Sequence, residues 1–190
     1  MLLRSLIGID MRSHPGYVSR RRMSTDYQAL NASIRFQFHP YHLNYGQVRG
    51  VDQVTFEVDA LDGLVDPACN YVVVVSPWAH FPQWTKVSYM ERTRLLREAV
   101  LRLRLRCPHV PVVLKGPHPT TTVAFSNNIF ASDYIIKQIE VINSQTFKGI
   151  GVWFLPLWDL NLAHYHKNEV HMPDEVIRQE LKMFLGFVCE

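Results

Sequence analysis

The stretch "YVVVVSPWAHF", residues 71–81, decides the fold. Its four consecutive valines show no alternation of apolar and polar positions. A strand with one wet face would alternate. A continuous β-branched run predicts a strand covered on both faces, as in a parallel sheet.

Two further runs read the same way. "VPVVLKG" (110–116) and "GIGVWFLPL" (149–157) are short, apolar and rich in β-branched or aromatic residues. Between the first two strands, Val87 to Arg106 is long enough for about five helical turns at 3.6 residues per turn. Leu96, Val100 and Leu103 share a core stripe there, and six arginines fill other positions. The arginines read as a solvated face, with phosphate or sulfate binding the less favoured reading. The tail "LRLRLR" also alternates as a strand would.

Ser132 to Asn143 reads as a helix capped by Ser132. "MPDEVIRQELKMFLGFV" is a closing helix, with Pro173 in the first turn and Asp174 and Glu175 at its positive end. Strand, helix, strand, helix, strand, helix predicts an α/β fold: a three-layer α/β/α sandwich with a mainly parallel sheet.

The first third is less regular. "RRRM" (20–23) reads as a solvated loop, and "SIRFQFHPYHL" as a strand through Ile34, Phe36 and Phe38 that ends at Pro40. "VDQVTFEVDALDGL" is read as a helix with Val54, Val58 and Leu61 on one face, against its β-branched content.

The chain has 190 residues, 47% hydrophobic and 19% charged, and a net charge of +3. That composition suits one folded domain spanning residues 1–190 and gives no reason to expect nucleic acid. No apolar run reaches the length of a membrane span. "MLLRSLIGIDM" is too short in its apolar core for a secretory signal, which leaves a longer precursor open. Cys69, Cys107 and Cys189 lack metal-ligand spacing, and an odd count leaves one thiol over whichever pair bonds. Asn31-Ala32-Ser33 is an N-glycosylation sequon.

In a parallel sheet the site lies at the carboxyl ends of the strands. Three segments converge there: "SPWAHF", "GPHPTTT" and "WDLNLAHYHKNEVH". His171, just before the closing helix, suits a general base that takes a proton from a hydroxyl nucleophile. Asp159 or Asn168 would orient its imidazole. His80 could donate to an oxyanion. Trp78, Trp84, Trp153 and Trp158 could form a sugar-stacking surface, although Trp153, inside a strand, suits the core better. Thr120 to Thr122 read as a polar surface loop rather than a nucleophile. His164, His166 and His171 lack a carboxylate at ligand spacing, so no metal is assigned.

"VVVVSPWAHF", the Arg-rich helix ending "RCPHVPVVLKG", and "WFLPLWDLNLAHYHKNEVHMPDEVIRQELKMFLGFVC" resemble the carboxyl-terminal domain of the NXPE family, the neurexophilin and PC-esterase domain proteins. The resemblance covers roughly residues 30–190, and the closing segment is its most specific part. It implies an SGNH-hydrolase-like α/β/α fold and acyl, often acetyl, transfer or ester hydrolysis on carbohydrate hydroxyls. It makes His171 the catalytic histidine and puts His80 on the oxyanion side; Trp78 and Trp158, from the aromatic pattern above, are read as substrate-binding residues. It implies no cofactor. The expected partner is an extracellular or Golgi glycan, with sialylated glycans among the reasonable acceptors. The expected location is secreted or in the Golgi or ER lumen, which agrees with the Asn31 sequon.

Two departures stand out. The superfamily's D-x-x-H aspartate position holds Asn168, in "NEVH". Asparagine can orient an imidazole but supplies no charge to stabilise imidazolium. The superfamily's nucleophile sits in a Gly-Asp-Ser block after the domain's first strand, and no Gly-Asp-Ser occurs in these 190 residues. The expectation is a chain that begins just downstream of that block and lacks the corresponding strand. Either it is an incomplete acyltransferase or esterase domain, or it is a non-catalytic secreted module that binds glycan or protein.

Overall fold

The computed structural model describes residues 22–28, 31–37, 55–119, 131–164 and 172–189. It is an α/β protein with helices on both sides of a parallel sheet. Strands β3 (Val73–Val75), β4 (Val112–Lys115) and β5 (Trp153–Leu155) lie side by side in chain order. Val73 pairs with Val112, and Val113 with Trp153. Helix α2 (Lys86–Arg106) crosses from β3 to β4, and α3 (Asp133–Thr146) from β4 to β5.

Alternation along each strand sorts the two faces. Val75, Val112 and Leu114 meet Leu96, Ala99, Val100 and Leu103 of α2. Each fully buried aliphatic side chain contributes about 1.5–3 kcal/mol relative to exposure. On the other face, Val113, Leu155 and Leu157 pack with Met183, Phe184 and Phe187 of α5 (Asp174–Val188). Trp153 stacks on Phe187 at 4.2 Å, as its core reading requires.

The covering of β3 differs from expectation. Val74 projects towards the α5 side and is 48% exposed; Val72 is 49% exposed. Helix α5 reaches only β4 and β5, so the valine run is covered on one face among the described residues, and the strand is three residues long. Among the described residues, β3 pairs with β4 alone.

Helix α2 runs to Arg106, so "LRLRLR" is helical. Thr85 caps it, its Oγ1 accepting from the Ser88 N–H at 3.2 Å. Several of its arginines are ties and not merely a wet face. Arg102 makes a bidentate contact with Asp62 at 3.0 and 2.7 Å, and Arg106 donates to the Leu61 carbonyl at 3.0 Å. Arg92 pairs with Glu57 and lies 4.0 Å from the Phe81 ring centre. These contacts fix α1 (Glu57–Asp62) to α2. Val58 and Leu61 enter the core, as their shared face predicts; Val54 lies outside the described residues. Arg104 donates to the Pro108 carbonyl at 3.0 Å and rests against Gly151, whose φ of +71° suits glycine. That turn is why β5 begins at Trp153 and not at Gly149.

A disulfide joins Cys69 to Cys107, with Cα atoms 5.6 Å apart, and ties the approach to β3 to the end of α2. The left-over thiol is Cys189, exposed after α5.

Strands β1 (Arg22–Tyr27) and β2 (Ala32–Gln37) form a separate antiparallel pair, from Arg22↔Gln37 to Tyr27↔Ala32. Arg22 and Met23 thus belong to a strand and not to the loop the basic run suggests. β2 contains Ile34 and Phe36, while Phe38 and Pro40 lie outside the described residues. Among the described residues, no helix is long and apolar enough to cross a membrane.

Candidate functional site

The carboxyl ends of β3, β4 and β5 open onto one edge, and the chain fixes each exit separately. After β3, Tyr89 donates to Asn143 Oδ1 at 2.7 Å and lies against the Pro77 carbonyl. Burial pushes the Tyr89 phenol up, with the Asn143 contact partly opposing, so it stays a neutral donor. Trp78 follows, 7% exposed, in a cluster with Phe81, Tyr89, Ile136 and Ile139. It is a wall of the site and not an open stacking face. His80 lies beyond it, exposed.

After β4, Gly116 donates to the Leu155 carbonyl at 3.0 Å. A Cβ there would sit 2.8 Å from that oxygen, so only glycine lets the two exits approach. His118 comes next, 5% exposed, between two buried prolines. Its ring meets Trp78 edge-on at 4.7 Å, and its Nδ1 lies 3.2 Å from the Pro119 carbonyl.

After β5, the chain turns into a short helix, α4 (Trp158–Ala163). Leucine and alanine among its residues favour the helix, and Asp159 stands in its first turn, exposed. Trp158 is half-buried against the Trp78 cluster, with Lys137 Nζ 4.7 Å from its ring centre. Asn161 is wholly buried. Its Nδ2 donates to the Leu157 carbonyl at 2.7 Å and to Glu180 Oε1 at 3.3 Å. Glu180, 2% exposed, accepts from Lys115 at 2.9 Å through its other oxygen. This network pins α4 and α5 to the end of β4.

Of the residues read from sequence, the structure gathers Trp78 and Trp158 into one cluster and leaves His80 and Asp159 on the surface near the strand exits. His166, Asn168, His171 and Thr120 to Thr122 lie outside the described residues. Their neighbours are placed: His164 Nε2 is 3.7 Å from Glu175, and Met172 is buried against Val176, Ile177 and Leu181. Pro173 is the N-cap of α5 and not a residue of its first turn. Asn31 is exposed at the turn entering β2, accessible as a sequon should be.

Sequence reasoning passed over His118, Lys115, Asn161 and Glu180. His118 had a signal, since "GPHP" places a histidine between prolines directly after a buried strand. The other three had none, because a lysine, an asparagine and a glutamate 65 residues apart at the extremes reveal their pairing only in three dimensions.

A parallel α/β sheet with aromatic and imidazole groups at its carboxyl edge defines the class of protein. The family comparison agrees: the model described as NXPE family member 4-like, C-terminal domain, matches residues 3–189. The chain belongs to the NXPE family. No solved structure matches it.

Proposed function

We propose that this domain is built on the acyl-ester site of a PC-esterase-like, SGNH-type carbohydrate O-acyltransferase or esterase. We propose further that the chain as given binds the carbohydrate without turning it over. The observation that carries the reading is the convergence of Trp78, His118 and Trp158 on the carboxyl edge of the sheet in a member of this family. Trp158 supplies the apolar face against which a pyranose ring stacks. His171 is the proton acceptor, oriented by Asp159 or Asn168, and His80 donates on the oxyanion side.

The absence of Gly-Asp-Ser from the 190 residues favours binding over turnover. A base without an activated hydroxyl forms no acyl-enzyme. The Cys69–Cys107 disulfide supports a secreted or lumenal location, where such bonds persist. The exposed Asn31 sequon supports it too.

The test is saturation-transfer NMR of the purified chain with methyl glycosides of common monosaccharides and their O-acetyl derivatives. Binding that Trp158→Ala weakens by about tenfold or more, in a variant that still melts cooperatively, is the expected result. A folded wild-type chain that binds none of them refutes the proposal.

A further inference from the structure

We infer that Asn161, Glu180 and Lys115 form a positioning chain that sets Trp158 in the carbohydrate site. The inference rests on the carbohydrate reading above and adds the residues that hold its stacking ring in place.

Helix α4 cannot hold Trp158 by itself. Its six residues close fewer than two turns, and a helix that short is unstable alone. Its first turn has no side-chain cap from Leu157. Asn161 supplies the tie instead. The Leu157 carbonyl, one residue before Trp158, accepts from the Asn161 backbone N–H at 3.0 Å and from its Nδ2 at 2.7 Å. Nδ2 also donates to Glu180 Oε1 at 3.3 Å, and Lys115 Nζ lies 2.9 Å from Oε2. Both carboxylate oxygens are engaged, so the carboxylate cannot turn without losing a partner. Lys115 is the last residue of β4, the middle strand of the three. The backbone entering Trp158 is thereby indexed to the end of that strand.

Stability alone does not account for such a chain. A buried lysine–glutamate pair adds little net stability over apolar groups of similar volume. Asn161 Oδ1 is buried with no hydrogen-bond partner among the described residues, which is itself destabilising. What hydrogen bonds give and apolar contacts do not is direction. They fix one orientation of the peptide that carries Trp158, as a preorganised binding site requires.

Two substitutions pull stability and affinity apart. Asn161→Ala removes the clamp on Leu157 together with the unpaired oxygen, and alanine favours the helix. It should melt within about 4 °C of wild type. It should bind the methyl glycosides about tenfold more weakly, the loss expected of Trp158→Ala itself. The Trp158 indole N–H resonance, assigned as the one missing from Trp158→Phe, should move. Glu180→Gln does the reverse. Its single amide oxygen goes to buried Asn161, because the partly exposed Lys115 can turn to water. It should lower Tm by about 6–12 °C, bind within about threefold of wild type and leave the indole resonance in place. Should Asn161→Ala not melt cooperatively, Lys115→Met/Glu180→Leu takes its place with the same expected results.

An Asn161→Ala variant that binds as wild type, or keeps the Trp158 resonance, overturns the inference. So does affinity that follows Tm across the variants, which is the mark of a purely structural role. Wild type binding no glycoside overturns the carbohydrate reading and this inference with it. That failure appears before any variant is made, so the two are distinguishable.

Discussion

Removing the Cys69–Cys107 disulfide should cost this protein a large part of its stability. The bridge closes a loop between residues 38 apart in sequence. The chain-entropy relation gives roughly 13 cal/mol/K for a loop of that length, or about 4 kcal/mol at 25 °C. Domains are stable by only about 5–15 kcal/mol in total. For a chain of this size, a loss of 4 kcal/mol lowers Tm by about 8–16 °C. The Cys69→Ala/Cys107→Ala variant should show that drop in guanidinium and thermal unfolding. Wild type under reducing agent should match it, and reducing agent should change the variant no further. A loss under about 1 kcal/mol would refute the reasoning, because the loop would then be ordered without the bridge. Peptide mapping that found Cys107 bonded to Cys189 would refute it outright. The consequence for function is direct: a protein that needs this bond folds best where disulfides persist.

Three other outcomes follow from named contacts. Glu180→Gln leaves Lys115 without its charge partner and should cost about 3 kcal/mol, while Lys115→Met/Glu180→Leu should return to within about 1 kcal/mol of wild type in a double-mutant cycle by denaturant unfolding. Asp62 is held below the ordinary carboxylate range first by its hydrogen bond from Arg102 and then by the charges of Arg102 and Arg106, with slight burial opposing. A depressed carboxylate stabilises above its unfolded pKa and loses that contribution as pH falls through the folded one. Asp62→Asn should therefore lower stability slightly at neutral pH and flatten its decline below about pH 4, as read by thermal melts across pH. Val72 and Val74 are exposed at β3, which pairs only with β4 among the described residues; they should make residues 1–190 prone to association, and Val74→Lys should raise the monomer fraction on size exclusion without lowering Tm.

How much of this was legible in the sequence depended on which interactions are local. The valine run, "VPVVLKG" and "WFL" announced a parallel sheet because burial of a whole strand leaves a continuous apolar signature. Ser132 and the Pro173-Asp174-Glu175 start announced their helices because caps act within one turn. That α5 packs on β4 and β5 and, among the described residues, leaves one face of β3 bare was not legible: the composition of a strand says it wants cover, not which element provides it. The α2 arginines are largely exposed as read, but the ties that Arg92, Arg102 and Arg106 make were missed for a related reason. A charged residue at helical spacing looks solvated until Asp62, Glu57 or a carbonyl is found beside it. The short helix of "WDLNLA" was not assigned in advance, because six residues carry too little periodicity to announce one. Within the site, Trp78 was found but its burial was not, and His118 was passed over although "GPHP" marked it.

The account's central claim is that a carbohydrate acyl-ester site is present here without its serine. The most direct test is the rate of p-nitrophenyl acetate hydrolysis by the folded, purified chain, as wild type and as His171→Ala. The account predicts equal, background-level rates in both. A wild-type rate above background that falls by about 100-fold or more in the variant, the usual worth of a general base, would contradict it and place a working nucleophile within these 190 residues.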